Sequence, residues 1–538
     1  MQKMRKLTVG LAALALATVA GAQFDGPAPL AWRWIQPTRV APGGSPLVEG
    51  NTIYQAVGGR VFSLDKESGN LRWRFPAVEP IQGVFRSTPV LAAGTLVAAG
   101  DNKLVYGIDP ATGQSKWSFP TPASVIGQPV VAGNLVVFAL SDNRLMAVNP
   151  ENGQAGWENP LNIFDGVSGQ LSAHGGNVMV FTNRGEMLAI NTTTRKTEWK
   201  QRFSQVPPNP SATVYGDNVF LVSGPFVIAL NATTGTARYQ IDTRMQLALP
   251  PAVSSEGIFV VSQDGKAMAY DLSRQAITKK AIDLGSLAAT RPTAVGNKFI
   301  VPTTNGGVVL VDPTKSEIQW NFVIRPLADA TTAAPTTGGP GGPGGPGGFG
   351  GPGGPGGRPQ NSQTDRVVSI AASAPAVLSG QTLLVPARDG SLLAFDRNLG
   401  VDLTAPKVSM LFPNAGDQVS GQPPLVFLFR LEDEAAGVRS DSVKVEVDGQ
   451  ALEHTLNRDG TLLVRFSQTG KNRPLQDGRR TIVVTAVDWM GNTVKQNFAL
   501  TIDNALKPIT LPGQNNNQGG PGGGPGGFGG AGGDGGLR

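Results

Sequence analysis

Residues 61–75, VFSLDKESGNLRWRF, recur along the chain in recognisable copies. VYGIDPATGQSKWSF occupies 105–119 and LMAVNPENGQAGWEN occupies 145–159, with weaker copies starting at Met187, Val227 and Val308. Each copy reads as an apolar strand, an Asp/Asn-led turn often closed by glycine, and a second strand that carries an aromatic. A repeat of 40–44 residues excludes one ordinary core, because each unit has to bury its faces against a neighbouring unit.

The aromatic position serves as a ruler. It falls at Trp73, Trp117, Trp157, Trp199, Tyr239, the degenerate Lys279 and Trp320. A further copy, Trp32 in LAWRWIQP, lies 41 residues before Trp73 with no preceding strands of its own. The turn residue runs Asp65, Asp109, Asn149, Asn191, Asn231, Asp271, Asp312 and Asp396, and no tryptophan strand follows Asp396. The last unit lacks the strand that the N-terminus has spare. Complementary ends close a circle, so the spacing predicts an all-β chain with an eight-bladed β-propeller completed by an N-terminal strand.

Each unit parses into four strands from the inside outward. The innermost is short and follows proline in several units, as at Pro89, Pro129, Pro292 and Pro375, which suits an edge that donates to no ladder. The second and third are apolar and joined by Asp/Asn/Gly turns. The fourth carries the aromatic, expected to pack between blades. An insert at 326–366, centred on GGPGGPGGPGGFGGPGGPGGRP, has no residues to build a core and reads as a disordered tether on the same face as the second-to-third-strand hairpins. Beyond 403 the pattern changes. Residues 404–505 alternate apolar and polar positions in short strands, as a β-sandwich requires. The tail 506–538 returns to the composition of the insert.

Residues 1–22 carry Lys3, Arg5 and Lys6, an apolar run and an Ala-Gly-Ala exit, the pattern of a cleaved secretory signal. The mature product, a propeller over 23–403 and a sandwich over 404–505, is therefore expected outside the cytoplasm, in the periplasm or at the cell surface. No later run is long and apolar enough to span a bilayer. There is no cysteine, hence no disulfide and no lipid-attachment thiol. Losing three basic residues takes the formal charge from +6 to +3, and no Lys/Arg run argues for nucleic acid.

The repeat resembles the pyrroloquinoline-quinone-type (PQQ-like) propeller repeat, best at Ile108–Asp109–Pro110–Ala111–Thr112–Gly113 with Trp117–Ser118–Phe119. That resemblance covers Gln23 to about Leu403 and implies either a quinoprotein dehydrogenase or a non-catalytic scaffold of the kind found in outer-membrane β-barrel assembly. The segments 432–438 (EDEAAGV) and 486–494 (AVDWMGNTV) resemble turns of bacterial immunoglobulin-like domains, which imply a spacer or adhesive module.

The residues themselves argue against catalysis. The dehydrogenases that the repeat resembles stack their quinone on a vicinal disulfide, and this chain has no cysteine. Trp32, Trp73, Trp117, Trp157, Trp199 and Trp320 are expected to pack blades. Asp65, Asp109, Asp271, Asp312 and Asp396 are expected to form turns, since Asn replaces them in other units and cannot act as a base. His174 and His454 lie in different domains without metal-ligand spacing. Glu432, Asp433, Glu434 and Asp488 offer oxygens that suit Ca²⁺ but read as exposed loop acids.

No catalytic, cofactor or metal residue is therefore assigned. The loops leading into the inner strands carry Arg86, Arg244, Arg291 and Arg366, a candidate cationic rim for an anionic partner. The expectation is a monomeric, exported, non-catalytic scaffold for other envelope proteins. The alternatives are a structural or surface-layer component tethered by its glycine-rich runs, and a quinone-dependent dehydrogenase.

Overall fold

The computed structural model describes residues 24–36, 38–326 and 369–511. The secretory segment, Arg366, nearly all of the insert and the glycine-rich tail lie outside the described residues. No helix among the described residues is long and apolar enough to cross a membrane.

Before residue 400 the described chain forms eight four-stranded antiparallel sheets. Seven are built from consecutive strands, as in Leu47–Glu49, Thr52–Val57, Arg60–Asp65 and Leu71–Phe75. The remaining sheet takes Val377–Ser379, Thr382–Pro386 and Ser391–Phe395, and its outer place is filled by Leu30–Ile35 from the other end of the chain. There Trp32 stands opposite Ala394 and Trp34 opposite Leu392. The fold is a β-propeller.

Eight apolar clusters join these sheets, each drawing on two neighbours. Tyr54 and Val61 pack with Leu96 and Ile108. Phe259 meets Phe299 with ring centroids 4.8 Å apart. Ile53 and Leu64 pack with Leu384 and Leu392, which joins the first sheet to the last. The middle strands are buried on both faces, so their near-continuous Val/Ile/Leu/Phe runs follow from the packing.

Five tryptophans, Trp32, Trp73, Trp117, Trp157 and Trp199, bind these sheets by one repeated contact. Each indole N–H donates to the carbonyl just after the turn residue of the next sheet. Trp32 reaches Lys66 O at 3.0 Å, Trp73 reaches Pro110 O at 3.1 Å and Trp117 reaches Pro150 O at 3.0 Å. Trp157 reaches Thr192 O at 2.8 Å and Trp199 reaches Ala232 O at 3.0 Å. The ring packs closely on the turn. A Cβ on Gly113, whose φ is +73°, would stand 2.5 Å from the Trp73 indole. The repeat glycine thus supplies both a left-handed backbone and room for the aromatic. Where Arg195 takes that position, its guanidinium stacks 5.7 Å from the Trp157 ring centre.

Two units keep four strands but displace the outer one. In the sheets of Trp157 and Lys279 the outer strand shrinks to Leu161–Asn162 and Ile282–Asp283, beyond the aromatic position. Trp157 still docks, 3 % exposed, although it belongs to no strand. Lys279 is exposed and its backbone N–H bonds Ser316 Oγ instead, since no indole is there to hold the chain against the next turn.

After residue 404 two sheets face each other. One orders Lys407–Phe412, Val426–Glu432, Thr461–Arg465 and Thr455–Leu456. The other centres on the long pair Gly478–Val487 and Thr493–Ile502. Phe427, Phe429, Val445, Ile482 and Leu500 fill the space between them. This is a β-sandwich, and it is fastened to the propeller by specific bonds. Trp320 breaks the docking pattern: its N–H donates to Ala436 O of the sandwich at 2.8 Å. Leu30 N donates to Ala435 O at 2.8 Å, and Asn321 Nδ2 to Arg458 O at 3.0 Å. Phe24 packs against Trp320, while Arg397 and Asp396 bond the carbonyls of Pro27 and Pro29. The N-terminal stretch thus contacts both Trp320 and the turn that Trp320 would otherwise meet.

Two glycines separate the cost of backbone from the cost of contact. Gly94 has φ +67° and nothing within 4 Å of where a Cβ would stand, whereas Gly113 meets an indole. Gly94→Ala should cost ~1–2 kcal/mol for the left-handed backbone. Gly113→Ala should cost about 1–3 kcal/mol more, because the indole must shift. Denaturant unfolding of the two variants reads the difference; equal losses would mean that the aromatic contact contributes nothing.

Candidate interaction site at the channel mouth

The inner strands surround a central cavity of about 500 Å³. Every sheet contributes a short stretch to it, from Gly43–Gly44–Ser45 round to Ser373–Ala374–Pro375. These stretches are the residues leading into each inner strand, so their order around the cavity follows the order of the sequence. They are tied edge to edge. Thr88 Oγ1 donates to Ser45 O at 2.9 Å, Ser45 Oγ to Pro375 O at 2.8 Å and Thr213 Oγ1 to Pro251 O at 2.6 Å. Gly169 shows how close the sheets come: a Cβ there would lie 1.8 Å from Pro210 O. The wall is mostly neutral and mixed, with Gly, Ser, Thr, Gln, Asn and Pro beside Val130, Leu171, Leu249 and several alanines.

Two of the four rim arginines face this cavity. Arg86 lines it and forms an ion pair with Asp101 at 2.9 Å. Arg291 also lines it, and its guanidinium has no ion pair or side-chain hydrogen bond among the described residues. Water reaches Arg291, yet protein surrounds it on most sides, and this desolvation lowers its pKa from the ordinary arginine value. It remains a cation at neutral pH. Arg244 is exposed in the loop after Ala237–Asp242 and is not part of the cavity wall. Arg366 lies outside the described residues. The signal that the sequence reading missed is the position relative to the inner strand: Arg291 immediately precedes Pro292 and the strand Thr293–Val295, whereas Arg244 is several residues from Ala252–Ser254.

The same face carries exposed apolar side chains. Phe164, 93 % exposed, lies between Leu161–Asn162 and Ser168–His174. Leu287 and Val78 occupy corresponding loops of other sheets and are also exposed. The residues flanking the insert meet here too, with Ile370 N bonded to Ile324 O at 2.9 Å.

The turn carboxylates point elsewhere, into their own backbones. Asp109 Oδ1 accepts the N–H groups of Ala111 and Thr112, both at 2.9 Å. Asp271 accepts from Gln275 at 2.8 Å, Asp312 from Thr314 at 3.0 Å and Asp396 from Asn398 at 2.8 Å. Asp65 accepts from Glu67 and Ser68 and also forms an ion pair with Arg72 at 2.6 Å. The Arg72 hydrogen bond, helped by Ser68 N–H, lowers the Asp65 pKa to about 2.

His174 ends a strand, 3.6 Å from Asp217, and His454 lies 3.1 Å from Leu452 O. They remain far apart in the sequence and share no cluster. The reading of the sandwich acids as exposed needs correction. Glu434 is exposed, but Asp433 is 8 % and Asp488 0 % exposed, because their oxygens cap buried turns. Glu432 is partly buried and lies 3.8 Å from both Arg325 and Arg430.

Residues 30–226 and 209–338 match the family described as outer membrane protein assembly factor BamB. The serine/threonine-protein kinase AfsK of Streptomyces griseus is 35% identical over 85 residues, which is 15% of this chain and 10% of that protein. The chain thus spans about a tenth of the length of that curated relative. Among solved structures, BamB from Moraxella catarrhalis aligns over 68% of this chain and 99% of its own, with 13% identity and a TM-score of 0.48. The computationally designed Ika8 protein aligns over 70% of this chain and 98% of its own, with 10% identity and a TM-score of 0.48.

The turn chemistry is open to titration. Asp65 is depressed in the folded state, so its bond with Arg72 stabilises the protein above the unfolded carboxylate pKa of ~3.9, and that stabilisation is lost as pH falls through about 2. NMR titration of the carboxyl carbon should place the Asp65 midpoint near 2. Arg72→Ala should move it up towards the ordinary range. A midpoint unchanged by the substitution would mean that Arg72 does not hold the carboxylate.

Proposed function

The chain belongs to the family described as outer membrane protein assembly factor BamB, and from that premise we propose that it is an exported, non-catalytic interaction scaffold of the cell envelope. The observation that carries the reading is the channel face. An unpaired guanidinium, Arg291, stands in a mouth of mixed polar and apolar residues, and Phe164, Leu287 and Val78 are exposed on loops of the same face. One fixed cation with separated apolar anchors suits a protein segment that presents an acidic side chain between apolar ones. The ring fixes the backbone from which these groups emerge, so the ordering cost on association falls on their side chains and loops.

The non-catalytic part of the proposal is supported by how the acids are used. The eight turn positions include three asparagines, and the five aspartates spend an oxygen on backbone N–H groups. A general base would have to be free to take a proton from substrate. The sandwich, which carries turns resembling those of bacterial immunoglobulin-like domains, would serve as a fixed spacer held through Trp320 and Leu30.

The test is capture in the native envelope. Photo-cross-linkers placed at Leu287 should trap one dominant protein. Arg291→Glu and Phe164→Ser should each reduce that adduct at least about tenfold, corresponding to the 1–2 kcal/mol or more of an interface anchor. Neither change should lower the melting temperature, since both side chains are exposed. Unchanged capture by both variants would overturn the proposed face.

A further inference from the structure

Three carboxylates from distant parts of the chain meet where the propeller leads into the sandwich. Asp402 belongs to the segment leaving the last sheet, Asp433 to the turn after Val426–Glu432, and Asp488 to the turn after Gly478–Val487. Each offers an oxygen within 4.8 Å of the others. The residues are 8 %, 8 % and 0 % exposed. No Lys, Arg or His forms an ion pair with any of them among the described residues. Three like charges gathered away from water, without a counter-charge, are strongly unfavourable unless something positive joins them.

The hydrogen bonds identify where that positive group belongs. Asp433 Oδ1 accepts from the N–H groups of Ala435, Ala436 and Gly437 at 3.1, 2.6 and 2.7 Å. Asp488 Oδ1 accepts from Met490 and Asn492, and its Oδ2 from the Asn492 amide at 2.7 Å. Asp402 Oδ1 accepts from Thr404 N and Oγ1, both at 3.0 Å. Asp402 Oδ2 is shut off from solvent and has no hydrogen-bond partner. A buried carboxylate oxygen lacking a donor, on a group that lies beside two further carboxylates, is a ligand atom without its ligand.

We propose that Asp402, Asp433 and Asp488 bind one Ca²⁺ ion. An all-oxygen set without His or Cys selects a hard cation over zinc or copper. Calcium fits better than magnesium because the three residues are buried, and Mg²⁺ holds on to several waters that such a site would have to admit. This inference does not depend on the channel face or its partner.

The position of the ion gives it a role. The Asp433 turn is the one whose carbonyls receive Leu30 at Ala435 and the Trp320 indole at Ala436. Asp402 is on the only covalent connection between the two parts, and Asn492 also donates to its backbone carbonyl at 3.1 Å. A cation shared by these residues clasps the linker, the docking turn and the sandwich together. It would hold the spacer at one angle to the ring.

The test uses the full mature chain, stripped with chelator and titrated with CaCl₂ alone. Calorimetry should show one Ca²⁺ per chain, and the melting temperature should rise with Ca²⁺. Tb³⁺ should emit when tryptophan is excited, since Trp489 adjoins Asp488, and Ca²⁺ should quench the signal by displacement. Asp402→Asn should lose Ca²⁺ affinity by at least about tenfold. In chelator it should melt no lower than the unsubstituted chain, because it removes one of the opposed charges, and this separates loss of the site from loss of the fold. No Ca²⁺ uptake, or an unchanged affinity in Asp402→Asn, would overturn the proposal. An equal response to Mg²⁺ would overturn the assignment to calcium.

Discussion

An indole lying on the turn of the next sheet is the contact on which the architecture depends. It combines a large buried ring, an N–H bond to a fixed carbonyl and a glycine that makes room for both. Because each contact links neighbours, the unit cannot be complete alone, and the chain must continue until the last sheet finds the first. Leu30–Ile35 provides that ending by placing Trp32 on the turn of Asp65 while pairing with the strand before Asp396. Unfolding any one sheet would therefore expose apolar surface on two others, which makes the ring cooperative.

The one tryptophan of the repeat that departs from this pattern explains how the second domain is held. Trp320 has the same place in its sheet as the others, opposite Leu310, but its N–H goes to Ala436 of the sandwich. The N-terminal stretch with Phe24 packs beside it and contacts the turn at Asp396. A blade contact has thus become a domain contact. The result is a spacer positioned by the same type of bond that positions the blades, and not by its linker alone.

Much of this was legible in the sequence because repetition reports neighbours. The period, the turn residues and the misplaced copy at Trp32 all refer to contacts within or between adjacent units. The chain before residue 404 and after it differ in pattern, and that difference reads directly as propeller and sandwich strands. Other features were not legible, for physical reasons. Asp402, Asp433 and Asp488 come from three stretches far apart in the sequence, and only the folding of the sandwich against its leading segment brings their oxygens within 4.8 Å. Their burial could not be read from composition, since each lies in a polar, turn-like stretch. The bond from Trp320 to Ala436 spans 116 residues and replaces a local one that the repeat predicts. The rim arginines look alike in sequence, but only Arg86 and Arg291 of those described lie close enough to an inner strand to reach the cavity.

Closure of the ring by the N-terminal strand is the claim from which the rest follows, and the absence of cysteine makes it directly measurable. Ile35 stands opposite Ser391 in the closing pair. A chain with Ile35→Cys and Ser391→Cys, oxidised while folded and dilute, should form one intramolecular disulfide. It should migrate as a compact monomer on a non-reducing gel. Free thiols in a folded protein, or disulfides formed only between chains, would mean that the strand does not complete its own ring.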